Sequence, residues 1–112
     1  MRDSTPVELC DCLQGQVPYT QFERTFIGTD DLYAEVSVDQ CKTCGRNWLH
    51  YLLEFEWYSR SGRWYRGEVG PEIPVTPRNA ASIFAQLKGY FAGGSHFDGK
   101  VLWRTGPIDV SP

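Results

Sequence analysis

The chain has 112 residues, 41% of them hydrophobic and 14% aromatic, with a formal net charge of -3. That length suits one domain with a modest core, and the composition excludes whole-chain disorder while the acidic balance argues against a general polyanion binder. No apolar run approaches the ~20 residues that cross a bilayer, and the opening stretch MRDSTPVELC lacks the apolar core of a secretory signal, so a cytoplasmic protein without a membrane partner is expected.

In chain order, residues 1–20 have mixed polarity, carry Pro6 and Pro18, and hold the first cysteine pair, Cys10 and Cys12. They form an arm with little besides those thiols to anchor it. Residues 21–39 contain one or two strands, because Leu32, Ala34, Val36 and Val38 alternate with Tyr33, Glu35, Ser37 and Asp39. Residues 40–48, QCKTCGRNW, make the turn into a second strand, so that residues 32–39 pair with residues 48–58. In that strand Leu49, Tyr51, Leu53, Phe55 and Trp57 share the core face, and His50, Glu54 and Glu56 lie on the other. A three-residue loop, Arg60, Ser61 and Gly62, then closes a hairpin that sets Glu56 opposite Arg66, Tyr58 opposite Trp64 and Trp57 opposite Tyr65. After GPEIPVTP, Thr76 caps a helix and Pro77 occupies its first turn. Ala80, Ile83, Phe84, Leu87 and Phe91 share one helical face, and Gly93 and Gly94 end it. Asp98 and Gly99 offer a tight turn between two short strands in the tail.

The expected fold is α+β: an antiparallel sheet with one helix packed on its apolar face and a zinc knuckle at one end, forming one zinc-stapled domain over residues 1–112. The knuckle rests on the cysteines. In a reducing compartment, thiols in two close pairs point to a metal before disulfides. Cys10 and Cys12, two apart in an extended segment, present both sulfurs on one face. Cys41 and Cys44 have knuckle spacing, and Gly45 supplies the left-handed backbone that turns amides toward the sulfurs. Four thiolates suit a closed, structural tetrahedral Zn(II), since a catalytic zinc keeps one position open. Three other readings stay open. A redox C-x-x-C normally opens a helix, whereas a strand follows here; two disulfides would suit a secreted chain; and buried cysteines also serve as small hydrophobes.

Catalysis has less to stand on. His50 and His96 are the only histidines, neither lies in a motif with a nucleophile, and phosphate, dinucleotide and metalloprotease motifs are missing, so the chain is not expected to be an enzyme. A binding surface is better supported: Arg60, Arg63, Trp64 and Arg66 gather cations and an aromatic at one hairpin, with Trp64 as the anchor and Tyr65 as the core residue. The first functional expectation is a zinc-stabilised protein-binding module. A zinc-ribbon-type nucleic-acid binder is the alternative, and a small enzyme comes third.

The knuckle Cys41, Cys44, Gly45 and Trp48, the hairpin ending GRWYRGEV and the tail GGSHFDG together resemble the small stand-alone immunity proteins of bacterial polymorphic toxin systems. The resemblance implies a protein that binds a cognate toxin and blocks it stoichiometrically, without catalysis. It carries over no toxin-contact residue.

Overall fold

A computed structural model describes residues 10–112; Pro6 and the rest of the first nine residues of the expected arm lie outside the described residues. Six strands form one antiparallel sheet in sequence order: β1 (Phe22–Thr29), β2 (Glu35–Cys41), β3 (Asn47–Leu53), β4 (Arg63–Val69), β5 (Tyr90–Gly93) and β6 (Leu102–Arg104). Each strand pairs with the next, so every connection is local. A short helix, α1 (Ala80–Ile83), runs into a 3-10 turn over Phe84–Gln86 between β4 and β5. The protein is therefore mostly β.

Side-chain alternation gives the sheet two different faces. Val36, Leu49, Tyr51, Leu53, Tyr65, Tyr90 and Ala92 project to one side and form the main core with Ala80, Ile83 and Phe84. Phe84 meets Tyr51, Tyr65 and Tyr90 edge-on or tilted, at ring separations of 5.2–6.3 Å. The three tyrosines bury their rings and send their hydroxyls to the rim: Tyr51 to the Asp30 carboxylate, Tyr65 to the Asp109 carbonyl and Tyr90 to the Gly106 carbonyl, the last two at 2.8 Å. On the opposite face, Phe22, Trp48 and Phe91 are covered by the segment that starts at Cys10, with Leu13 and Val17 packed against them.

The β3–β4 register differs from expectation. Tyr51 lies opposite Tyr65, Leu52 opposite Trp64 and Leu53 opposite Arg63, a displacement of six residues from a pairing of Trp57 with Tyr65. The hairpin loop is residues 54–62. Its base is closed by the Ser61 hydroxyl, which accepts from the Phe55 amide at 3.0 Å and donates to the Phe55 carbonyl at 2.8 Å. An even displacement preserves the face of every residue, so Tyr65 is in the core under either register. Trp57 leaves the core row altogether and stands in solvent.

The helix is also shorter than its periodicity suggests. Thr76 and Asn79 cap it reciprocally, the Thr76 amide donating to Asn79 Oδ1 at 2.8 Å and the Asn79 amide to Thr76 Oγ1 at 3.2 Å. Helical geometry ends by Gln86, and Phe91 sits in β5, opposite Trp103 of β6. Gly89 separates the two states: a Cβ there would lie 2.3 Å from the Trp103 ring, so a larger residue would displace that indole from the start of β5. Asp98 and Gly99 do turn the chain between β5 and β6, both with positive φ, inside a longer loop that includes a 3-10 turn at Ser95–Phe97.

Candidate metal centre and binding surfaces

The first cysteine pair does not lie in an extended segment. Cys10 precedes a 3-10 turn over Asp11–Leu13, and Cys12 sits within it, so the turn folds both sulfurs to one side. Cys41 ends β2, and the chain reverses through Lys42–Gly45. The Gly45 amide donates to the Cys41 carbonyl at 2.9 Å and Gly45 takes φ +83°. This reversal aims amides at sulfur: those of Cys44 and Thr43 at Cys41, and that of Arg46 at Cys44.

The two segments bring the four sulfurs together. Cys10 and Cys41 are 3.6 Å apart, Cys12 and Cys44 are 3.5 Å apart, and all four sulfurs lie within 4.8 Å of one another. A tetrahedral ion with metal–sulfur bonds of ~2.3 Å needs sulfurs ~3.8 Å apart. The set fits a metal, and the sheet supplies its frame.

The electrostatics agree with the geometry. Burial pushes the Cys41 thiol up, but the amides of Cys44 and Thr43 and the Gln21 side chain outweigh it and bring Cys41 down to about 6. Burial pushes Cys44 up too, but the Arg46 amide and guanidinium, with the Cys12 and Cys10 sulfurs, outweigh it and lower it. Cys12 is pushed up, first by burial and then by Cys44. Cys10 is raised as well: the Cys12 amide holds it down, but burial and the neighbouring Cys44 and Cys41 sulfurs outweigh that. Without a metal, Cys41 and Cys44 are drawn toward the thiolate while Cys10 and Cys12 are held toward the thiol. A cation relieves this crowding by holding all four as thiolates. The buried Trp48 indole N–H has no full hydrogen bond, yet it lies where it favours the Cys12 thiolate, as an anionic sulfur cluster requires.

The four residues expected to make one partner surface do not share a surface. Arg60 is exposed and pairs with Asp98. Trp64 is half-buried, its ring stacked 6.1 Å from His50. Arg63 is 0% exposed: its Nε donates to the Ser61 carbonyl at 2.8 Å and its Nη1 to the Asp109 and Ser111 carbonyls at 3.1 and 2.7 Å, fastening the C-terminal segment. Arg66 is 5% exposed, on the opposite sheet face. It donates to the Gln14 carbonyl at 2.6 Å and lies 5.0–5.8 Å from the rings of Phe22, Trp48, Trp64 and Phe91. Arg63 and Arg66 are structural cations with little exposed surface, and only Arg66 reaches the wall of a cleft.

Two other features escaped the sequence reading. Beside the arm, Arg24, Asp39, His50 and Arg66 line a cleft of about 460 Å³. Arg24 clamps Asp39 with both Nε and Nη2, at 2.7 and 2.8 Å. Burial lowers His50 to about 4, helped by the cations of Arg24 and Arg66 and opposed by Asp39, so its imidazole is neutral. The signal was the period of two: these residues alternate with apolar ones, but only strand pairing reveals that they meet. The second feature is a groove of about 480 Å³ between the β1–β2 turn and the β3–β4 loop, lined by exposed aromatics and glutamates.

No family model, curated protein or solved structure matches the chain. Among the described residues, no helix is long and apolar enough to cross a membrane.

Proposed function

We propose that this chain is a zinc-stabilised protein-binding module, which inhibits a cognate bacterial toxin in the cytoplasm by stoichiometric binding. The observation that carries the binding half is the fringe of solvent-exposed aromatics on the β1–β2 turn and the β3–β4 loop, where Trp57 is 93% exposed and Tyr33 86%. A monomeric fold gains nothing from large rings in water, whereas aromatic anchors of this kind dominate protein interfaces. Zinc is favoured because four thiolates fill a tetrahedron and leave no position for water or substrate, the pattern of a structural site. The metal's contribution is then mechanical, tying the arm to the sheet. Burial of Arg63 and Arg66 removes two of the cations on which the nucleic-acid alternative depended.

Co-expression of the protein with toxin genes from its own locus tests the reading. Protection from one toxin, lost on Trp57→Ala with the protein still folded, is the expected result; absence of protection from any of them overturns the inhibitor role. Metal analysis of the protein as purified is expected to give one zinc per chain, and iron or no metal overturns the zinc assignment.

A further inference from the structure

We infer that the groove between the β1–β2 turn and the β3–β4 loop is a receptor for a lysine or arginine side chain of a basic partner segment. The inference deepens the protein-binding reading above and rests on it. Tyr33, Trp57 and Tyr58 line the groove together with Glu35, Glu54 and Glu56, and no lysine or arginine is among its lining residues. Arg60, the nearest cation along the loop, is turned to Asp98. Aromatic faces carry negative quadrupole charge, tryptophan most of all, so three rings beside three carboxylates form a pocket whose complement is a cation with an apolar stem.

The rings are held out deliberately. Tyr33 has φ +62°, a left-handed conformation that costs a non-glycine residue roughly 1–2 kcal/mol, and its ring recovers no burial in return. The surrounding turn enforces it. The Tyr33 amide donates to the Asp30 carbonyl at 2.9 Å, the Leu32 and Ala34 amides both donate to Asp30 Oδ1 at 2.9 Å, and the other carboxylate oxygen takes the hydroxyl of buried Tyr51. Asp30 thus ties the strained turn to the main core. Across the groove, the Ser61 clamp on Phe55 fixes the loop base, and the Tyr58 ring stands edge-on to Phe55 at 6.4 Å. A backbone fixed in this way lowers the cost of ordering the rings on binding.

A random peptide library selected against the metal-replete protein tests the inference. Enriched peptides are expected to share a lysine or arginine. They should bind at least about tenfold more weakly to Trp57→Ala and to the triple variant Glu35→Gln, Glu54→Gln, Glu56→Gln, and should weaken as salt rises. Both variants alter exposed side chains, so unchanged melting temperatures will show that the fold is intact. Peptides that need Trp57 but carry no cation, or that bind the triple variant equally well, overturn the basic class while leaving the docking surface in place. Binders indifferent to Trp57→Ala and to Tyr33→Asn, which keeps the left-handed turn, overturn both. A library that yields no groove-dependent binder also overturns the inference, and self-association abolished by Trp57→Ala would assign the groove to a second copy of the chain.

Discussion

Stripping the metal from the reduced protein, or replacing Cys12 with serine, is expected to melt one face of the sheet and spare the other. The sulfurs join residues 10–12 to residues 41–44, and the arm between them and β1 is what covers Trp48, which is 2% exposed. A buried tryptophan hides about 150–250 Å², worth roughly 4–6 kcal/mol at about 25 cal/mol per Å². Phe91, 6.2 Å from Trp48 and anchored on β5, stays behind. About half of that burial is therefore lost, some 2–3 kcal/mol, and at roughly 4 °C per kcal/mol for a domain of this size the melting temperature falls by about 10 °C. The main core contains no cysteine, so Tyr51, Tyr65 and Tyr90 keep their packing. Tryptophan emission should shift to the red on chelation, while tyrosine near-UV dichroism and amide protection in β3 and β4 persist. Unchanged melting and emission would show that the arm holds without a metal. Complete unfolding would refute the independence of the two faces.

Tyr65→Ala is expected to cost about 3–5 kcal/mol in urea melts by opening a cavity among aromatic rings, and Tyr65→Phe only about 1 kcal/mol through the lost bond to Asp109. Gly67→Ala should destabilise by roughly 1–3 kcal/mol, because its Cβ would lie 2.4 Å from Leu87 Cδ1 and 3.3 Å from both Phe84 and Tyr90; a wild-type melting curve would show that Leu87 yields freely. The folded protein holds His50 near 4, below its ordinary 6.5, so the unfolded chain takes up the proton first. Stability present above pH ~6.5 is then lost as pH falls toward ~4, by up to about 3 kcal/mol, and His50→Gln should flatten that slope.

The sequence displayed side-chain faces more clearly than partners. Alternation along residues 47–53 put Leu49, Tyr51 and Leu53 in the core and His50 on the polar side, as found. Alternation could not fix how far β3 runs before the turn, since any even slip satisfies it. What fixed the register was the Ser61 clamp on Phe55 and the closure of Arg63 on the C-terminal carbonyls, the latter 46 and 48 residues distant. The spacing of Ala80, Ile83 and Phe84 gave the helical turns correctly, but Leu87 is already extended, Phe91 met the same period by coincidence, and the approach of Trp103 to Gly89 is a contact from a later strand. The cysteine set was legible because two short spacings are a local signal. The groove was not, because Tyr33 and Trp57 are brought to the same end of the sheet only by the β2–β3 pairing, which sets Glu35 opposite Leu52.

A filled metal centre would give the burial of Arg66 an electrostatic reason. A divalent ion held by four thiolates carries a net charge of -2, and a centre packed beneath an arm has little water to screen it. Arg46 answers part of that charge directly, with Nη1 3.3 Å from the Cys44 sulfur. Arg66 lies deeper; burial works against its charged form, and the charges that favour it are first Cys12 and then Asp39. Among the described residues no carboxylate pairs with it, because Asp39 is already taken by Arg24. Four aromatic rings and a carbonyl surround the guanidinium there, and a metal held by the four thiolates would add a dianion that repays its desolvation more fully. A cation beside Tyr65 and two residues from Trp64 in the sequence thus looks like a surface for anions, when the groups that would balance it in a metal-filled centre are cysteines over twenty residues away. With that cation committed inward, the exposed rings that remain stand among glutamates, and the sign of the partner they favour is reversed.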